Sequence, residues 1–365
     1  MKNLLKAYDW SIVIPILSCL TLAGTELGLN VGVVYIVCLA AALIGTVLAA
    51  VHHAEVVAHK LGEPFGTLLL AVAITVIEVA LIISLMLTGG EETAALARDT
   101  VFAAVMIIVS GIVGLCLLIG GIFHKEQEFK LHGANAALTT LAAIAVLTMI
   151  LPNYTTTNIG PIYSASQLGF IALVSLVLYG TFVFVQVKRH RNYFLDANDN
   201  DETMLVLDSS TSIGSKAMYL SAGMLLVCLV AVVLLAKSLA PSIESTVAWL
   251  GAPHQLVGVI IASIILFPEG LAAVKAAKRN LFQTSLNLAL GSALASIGLT
   301  IPAVAVLSLI TGWTLVLGID MKSTILLLLA LFVSSLSLAT GRTNVLQGVI
   351  LLVIFSVYLF TTVIP

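Results

Sequence analysis

Two carboxylates stand where a carboxylate is costly. The stretch Thr67 to Leu87 (TLLLAVAITVIEVALIISLML) is long enough to cross a bilayer and has one ionisable residue, Glu78, near its middle. A second apolar stretch, Val257 to Ala277, repeats the arrangement around Glu269. On insertion scales a charged side chain at a membrane helix centre costs about 2.5–3.5 kcal/mol. A carboxylate at that depth is therefore paired, protonated or bound to an ion. The chemistry open to two of them is binding: ionised, they are hard-oxygen ligands for a cation, and protonated, they release it.

The elements that must hold these groups are membrane helices. A chain of 365 residues could form two soluble domains by length alone. Its composition is 60% hydrophobic and 9% charged, with a mean hydropathy of +1.15, which excludes a soluble protein. The charges cluster in short stretches between apolar runs of transmembrane length. Those runs are continuous, without period-2 alternation, so a β-barrel is excluded. The fold class is an all-α polytopic membrane protein. A net charge of −2 without a large basic patch gives no reason to expect nucleic acid. Cys19, Cys38, Cys116 and Cys228 lie inside apolar runs, without metal-ligand spacing or loop partners, and read as packing residues.

The pattern predicts about eleven transmembrane helices. The first, Ser11 to Ala23, follows Lys2 and Lys6 as the apolar part of a signal peptide would. No small-residue cleavage site precedes the next span, so it reads as an uncleaved helix with Tyr8 and Trp10 at the interface. The next five cover Asn30 to Val51, Thr67 to Leu87, Thr100 to Gly121, Gly133 to Leu151 and Ser166 to Val187. A polar turn holding His52, His53, Glu55, His59 and Lys60 is expected after Val51. The last five cover Met218 to Leu239, Pro253 to Ala277, Leu281 to Thr311 (with a kink expected at Pro302), Ser323 to Ala339, and Val345 to the end. The predicted organisation is an N-terminal helix over residues 1–29, five-helix halves over 30–187 and 216–365, and an acidic cytoplasmic linker over 188–215.

Basic residues orient the chain. With the N-terminus inside, thirteen of the 16 Lys and Arg residues fall in inner connectors, leaving only Arg98, Lys237 and Lys322 outside. One missed span would largely erase that bias. The expected topology is N-terminus cytoplasmic and C-terminus external.

An odd number of spans per half makes the two halves enter the membrane in opposite senses. Glu78 and Glu269 each lie on the second helix of their half, near mid-membrane. The next helix of each half carries a Gly/Ser element, Ile108-Val109-Ser110-Gly111 and Ala289-Leu290-Gly291-Ser292. Matched sites in inverted halves are the plan of many secondary transporters. Pro268 removes a backbone donor and is expected to disrupt the turn before Glu269, freeing carbonyls there. Carbonyls, carboxylates and hydroxyls suit Ca²⁺ or Na⁺ rather than zinc or copper.

At these residues the chain resembles a known family. Gly62-Glu63-Pro64-Phe65-Gly66 with Glu78, and Phe267-Pro268-Glu269-Gly270 with Gly291-Ser292-Ala293-Leu294, are similar to the two α-repeats of the calcium/cation antiporter superfamily. Within it the chain is most similar to bacterial cation/proton exchangers of the ChaA type. The resemblance extends over nearly the whole chain, through Arg98-Asp99-Thr100 and Thr340-Gly341-Arg342-Thr343-Asn344. It implies an antiporter in the bacterial cytoplasmic membrane, moving Ca²⁺, and also Na⁺ or K⁺, against protons. The partners are then cations, protons and lipid, with no cofactor. Carried over residue by residue, Glu78 and Glu269 match the ion-binding glutamates, and Ser110 and Ser292 fall near the small polar ligand positions. The first helix of each half would slide against the core. One departure stands out. Where the wider family places Gly-Asn ahead of each glutamate, this chain reads Ile74-Thr75-Val76-Ile77 and Ile265-Leu266-Phe267-Pro268, which weakens an implied preference for Ca²⁺.

Each site residue has a plainer role beside its functional one. Glu78 and Glu269 could be structural hydrogen-bonded acids, and Ser110 and Ser292 small packing residues. Thr75 could ligate, but is expected to bond back to its own helix; Asn287 could line the path. The three His residues after Val51 are expected to be solvated. Asp196, Asp199, Asp201, Glu202 and Asp208 lack the spacing and glycine of an EF-hand and read as a solvated linker. Two other classes compete. A channel would share the carboxylates but need no proton. An intramembrane hydrolase would need paired Asp or a Ser with a membrane-embedded His, and neither pattern occurs, so no enzyme activity is expected.

Overall fold

The computed structural model describes residues 2–26, 32–61, 65–89, 93–195, 215–249, 251, 253 and 255–364. They form eleven helical rods: α1 (Lys2–Glu26), α2 (Gly32–Leu61), α3 (Phe65–Gly89), α4 (Leu96–His124), α5 (Leu131–Tyr154), α6 (Ala165–Arg189), α7 (Ser215–Trp249), α8 (Gln255–Lys278), α9 (Phe282–Thr311), α10 (Met321–Ser337) and α11 (Val345–Val363). Eight are long and apolar enough to cross a membrane, and α1, α3 and α10 hold shorter apolar segments. The outer surface suits lipid, since Leu226, Phe170, Phe332 and Phe360 all point outward from the bundle. Local signals set several helix starts. Ser164 and Gln167 form a capping box before α6, and Asn344 and Gln347 form another before α11. Gly312, at φ 76°, takes the left-handed turn that ends α9.

Three expectations are corrected. The residues after Val51 do not turn: α2 continues to Leu61 and takes His52, His53 and Glu55 with it. The reason is cover from α1, against which His53 is fully buried with its Nε2 3.2 Å from the Ser11 carbonyl. Trp10 lies over His52, with ring centroids 5.4 Å apart. Next, α7 does not stop near Leu239 but runs on through Pro241 to Trp249. Finally, α8 is unbroken across Pro268. A proline in a packed helix removes one donor, here the one that would reach the Ile264 carbonyl, without unwinding the turn. Gly62-Glu63-Pro64, the loop acids Glu91 and Glu92, and the acidic cluster from Asp196 to Asp208 lie outside the described residues.

The halves pack as inverted copies. Thr100 of α4 neighbours Gly258 near one end of α8, and His124 Nε2 meets the Lys278 carbonyl at 2.9 Å at the other end. The third helix of the first half thus runs parallel to the second helix of the second half. Neighbours exchange in the same way: α3 packs on α9 and α8 on α4, while α6 packs on α9 and α11 on α4. Close approach of α4 and α11 depends on glycine. A Cβ on Gly348 would strike the backbone of Leu118 and Gly114, and one on Gly121 would strike Val345.

Apolar packing divides into two clusters. The larger joins α4–α6 to α8–α11. The smaller joins α2 and α7, which lie side by side, to parts of α3 and α8. Loops staple the ends. At one end buried Gln127 donates to the Ala277 carbonyl (2.8 Å) and to Asn280 Oδ1 (2.9 Å). At the other end Arg98 pairs with Asp99 at 2.8 Å and donates to the Gly318 carbonyl at 3.1 Å.

Candidate cation- and proton-binding site

Glu78 and Glu269 are both inside the bundle, 3% and 5% exposed. One helix serves both. Ser292 of α9 donates to Glu269 Oε2, and Ser296, one turn on, donates to Glu78 Oε1 at 2.7 Å. A spacing of four puts both hydroxyls on one face of α9, and that face lies between α3 and α8. Each carboxylate thus receives a hydrogen bond of the kind that stabilises a buried charge.

Ser296 was missed by the sequence reading, although its spacing from Ser292 was a readable signal. The remaining candidates are placed as follows. Ser110 is fully buried in a π-helical segment, Ile107–Ile112, and its hydroxyl donates to the Met106 carbonyl at 2.5 Å rather than to a carboxylate. Such single-turn π segments concentrate at functional sites. Gly270, beside Glu269, lets α8 close on this segment, since a Cβ there would lie 3.3 Å from Ile112. Thr75 is buried one turn before Glu78 and bonds back to the Ala71 carbonyl at 2.9 Å. Asn287 is also occupied: its amide nitrogen donates to the Phe194 carbonyl and its oxygen accepts from Gln283 Nε2 at 2.9 Å. The structure therefore brings Glu78, Glu269, Ser292 and Ser296 together, and leaves Ser110 and Thr75 bonded to the backbone of their own helices and Asn287 to the Phe194 carbonyl and Gln283.

The two directions away from the carboxylates differ. Toward the Gly89 and Gln255 ends of α3 and α8 there is a small apolar void walled by Leu43, Val47, Leu81, Val232, Ile261 and Ile265. Its side-chain walls are entirely apolar. Toward the opposite ends, polar side chains of α6 and α9 begin to line the space.

A membrane bundle of two inverted halves that focuses a pair of carboxylates on one shared helix has the architecture of secondary transporters. Comparison with known proteins narrows this. The chain belongs to the sodium/calcium exchanger protein family, whose model matches residues 31–188 and 220–364. It is 48% identical over 359 residues to the ionic transporter y4hA of Sinorhizobium fredii, covering 98% of this chain and 96% of that one. It is 33% identical over 359 residues to the sodium-potassium/proton antiporter ChaA of Escherichia coli, covering 97% and 96%. Among solved structures, the H⁺/Ca²⁺ exchanger CAX superposes with a TM-score of 0.73 at 15% identity, over 97% of this chain and 88% of that one. At that identity the likeness concerns the fold alone.

Proposed function

We propose that the chain is a cation/proton antiporter of the cytoplasmic membrane, exchanging cytoplasmic Ca²⁺ for external protons at Glu78 and Glu269. One observation carries the reading: two buried carboxylates are each hydrogen-bonded by a serine of one helix, the two serines one turn apart. Two like charges at that depth need a compensating cation or protons. Cation and proton therefore exclude each other, and a site that changes sides in either loaded form exchanges them. The name of one relative, a sodium-potassium/proton antiporter, supports this class of reaction.

A second reading, exchange of Na⁺ or K⁺, rests on the ligand set. Ca²⁺ usually takes six to eight oxygens. Around the carboxylates the chain offers two serine hydroxyls and the Ile264 carbonyl left free by Pro268, and no side-chain amide precedes either glutamate. Alternation fits the packing, because α2 and α7 lie side by side and meet α3 and α8 through one continuous apolar surface, along which they can slide. In this state the apolar void closes the site toward what the distribution of basic residues makes the external side.

The test is proton release from everted vesicles on adding Ca²⁺, Na⁺ or K⁺ separately. We expect cation-driven release in the wild type, and its loss in Glu78→Gln and Glu269→Gln at unchanged membrane abundance. Wild-type exchange in either variant refutes the site. Cation flux without proton movement refutes antiport and indicates a channel.

A further inference from the structure

Two small neighbouring cavities lie between α6 and α9, one against α3 and the other against α5, on the side of Glu78 away from the apolar void. Gln186, Asn287 and Gly291 line both, and Ala71 and Tyr179 line the one nearer α3. Each offers about 10 Å³ to the centre of a water molecule, roughly the room that one water needs. Tyr179 is 7% exposed and its hydroxyl is buried without a hydrogen-bond partner. Gln186 is 5% exposed. Buried hydroxyls without a protein partner are ordinarily satisfied by water, and Tyr179 lines the cavity nearer α3.

The cavity nearer α3 lies along the Glu78 face of that helix. Ala71, Thr75 and Glu78 stand at i, i+4 and i+7 on one face of α3, so the cavity at Ala71 is about 10 Å along the helix from Glu78. Tyr179 of α6 lies beside both this cavity and the segment of α9 that holds Ser296. Its Cβ packs against Gly298, two residues beyond Ser296, the serine bonded to Glu78, while the side chain also walls the cavity beside Gly291. At the far end, Asn287 and Gln186 sit near the Lys130 end of the bundle. There Lys130 holds the Asn192 carbonyl at 2.8 Å and its backbone N–H donates to Gln283 at 2.8 Å.

We propose that these cavities form a water-filled proton inlet from the Lys130 end to Glu78, separate from the α2–α7 surface along which the cation would travel. The proposal rests on the antiporter reading. Selectivity follows from the walls. Leu68, Phe182 and Val183 are apolar and, among the described residues, no carboxylate lines either cavity, so a cation would lose its water without gaining a charged ligand there. A proton needs only a chain of donors and acceptors. The Tyr179 hydroxyl takes one proton from a water on one side as it passes its own to a water on the other, and then reorients. No net charge stays on the tyrosine.

The test uses the full-length protein in everted vesicles with a pH-sensitive dye, comparing the wild type with Tyr179→Phe, Gln186→Leu and the cavity-filling Ala71→Leu. Cation-driven proton release should slow at least fivefold in each, while the half-saturating cation concentration stays within twofold of wild type. Gln186→His, which keeps donor and acceptor, should recover most of the rate. Unchanged rates in Tyr179→Phe and Gln186→Leu overturn the inlet. So does a parallel rise in half-saturating concentration, which would place these residues on the cation path. Thermal unfolding in detergent identifies any variant that fails to fold, and Tyr179→Phe, which deletes one oxygen, then decides. If the wild type releases no protons, the antiporter reading falls and the inlet falls with it. If the wild type exchanges and the variants match it, only the inlet fails.

Discussion

Replacing Ser296 with alanine is the sharpest probe of the carboxylate pair. The substitution removes one hydroxyl, leaves α9 intact and creates almost no cavity. The lost contact is a 2.7 Å hydrogen bond to Glu78 Oε1 in a site that is 3% exposed. Hydrogen bonds to charged groups contribute about 1.5–3 kcal/mol. At about 1.4 kcal/mol for each tenfold, Ser296→Ala should raise the half-saturating cation concentration roughly 10- to 150-fold. Ser296→Thr keeps the donor and should stay near wild type. Ser335→Ala, whose hydroxyl serves only the Leu331 carbonyl of its own helix, controls for the loss of any hydroxyl. The assay is cation titration of proton release in everted vesicles at fixed pH. A Ser296→Ala protein that half-saturates at the wild-type concentration would refute the reasoning, because Glu78 would then not depend on α9 for its ionised form.

Two further outcomes are expected. Gly348→Ala should lower thermal stability in detergent by about 1–3 kcal/mol, because the added methyl meets the backbone of Leu118 and Gly114 rather than a mobile side chain; unaltered melting would show that α4 and α11 are not held that closely. Single cysteines placed at Lys125 and at Lys322, in a background without the four native cysteines, should be labelled by a membrane-impermeant thiol reagent from opposite sides. Labelling of both from the same side would reverse the topology inferred from the basic residues.

The carboxylates, their apolar surroundings and the helix count were legible in the sequence. Burial in lipid demands long uncharged runs, so a lone Glu78 inside Thr67 to Leu87 stands out by cost alone. Matching positions of Glu78 and Glu269 in five-helix halves also carried the inverted plan. What one-dimensional pattern could not give was the partner of each carboxylate. The symmetry argument put Ser110 opposite Ser292, yet Ser110 turns back to Met106 within a π segment. Ser296 takes Glu78 instead, because α3 packs on α9 far more than on α4. The end of α2 misled for a similar reason. His52 and His53 look like a solvated turn until α1 covers them, and only a tertiary neighbour supplies that cover. The sequence by itself determined which groups could not tolerate the bilayer uncompensated, since that cost is local to each helix. Which helix supplies the compensating hydroxyls, and which side of the site is sealed by apolar side chains, was decided by packing between segments as far apart as Glu78 and Ser296.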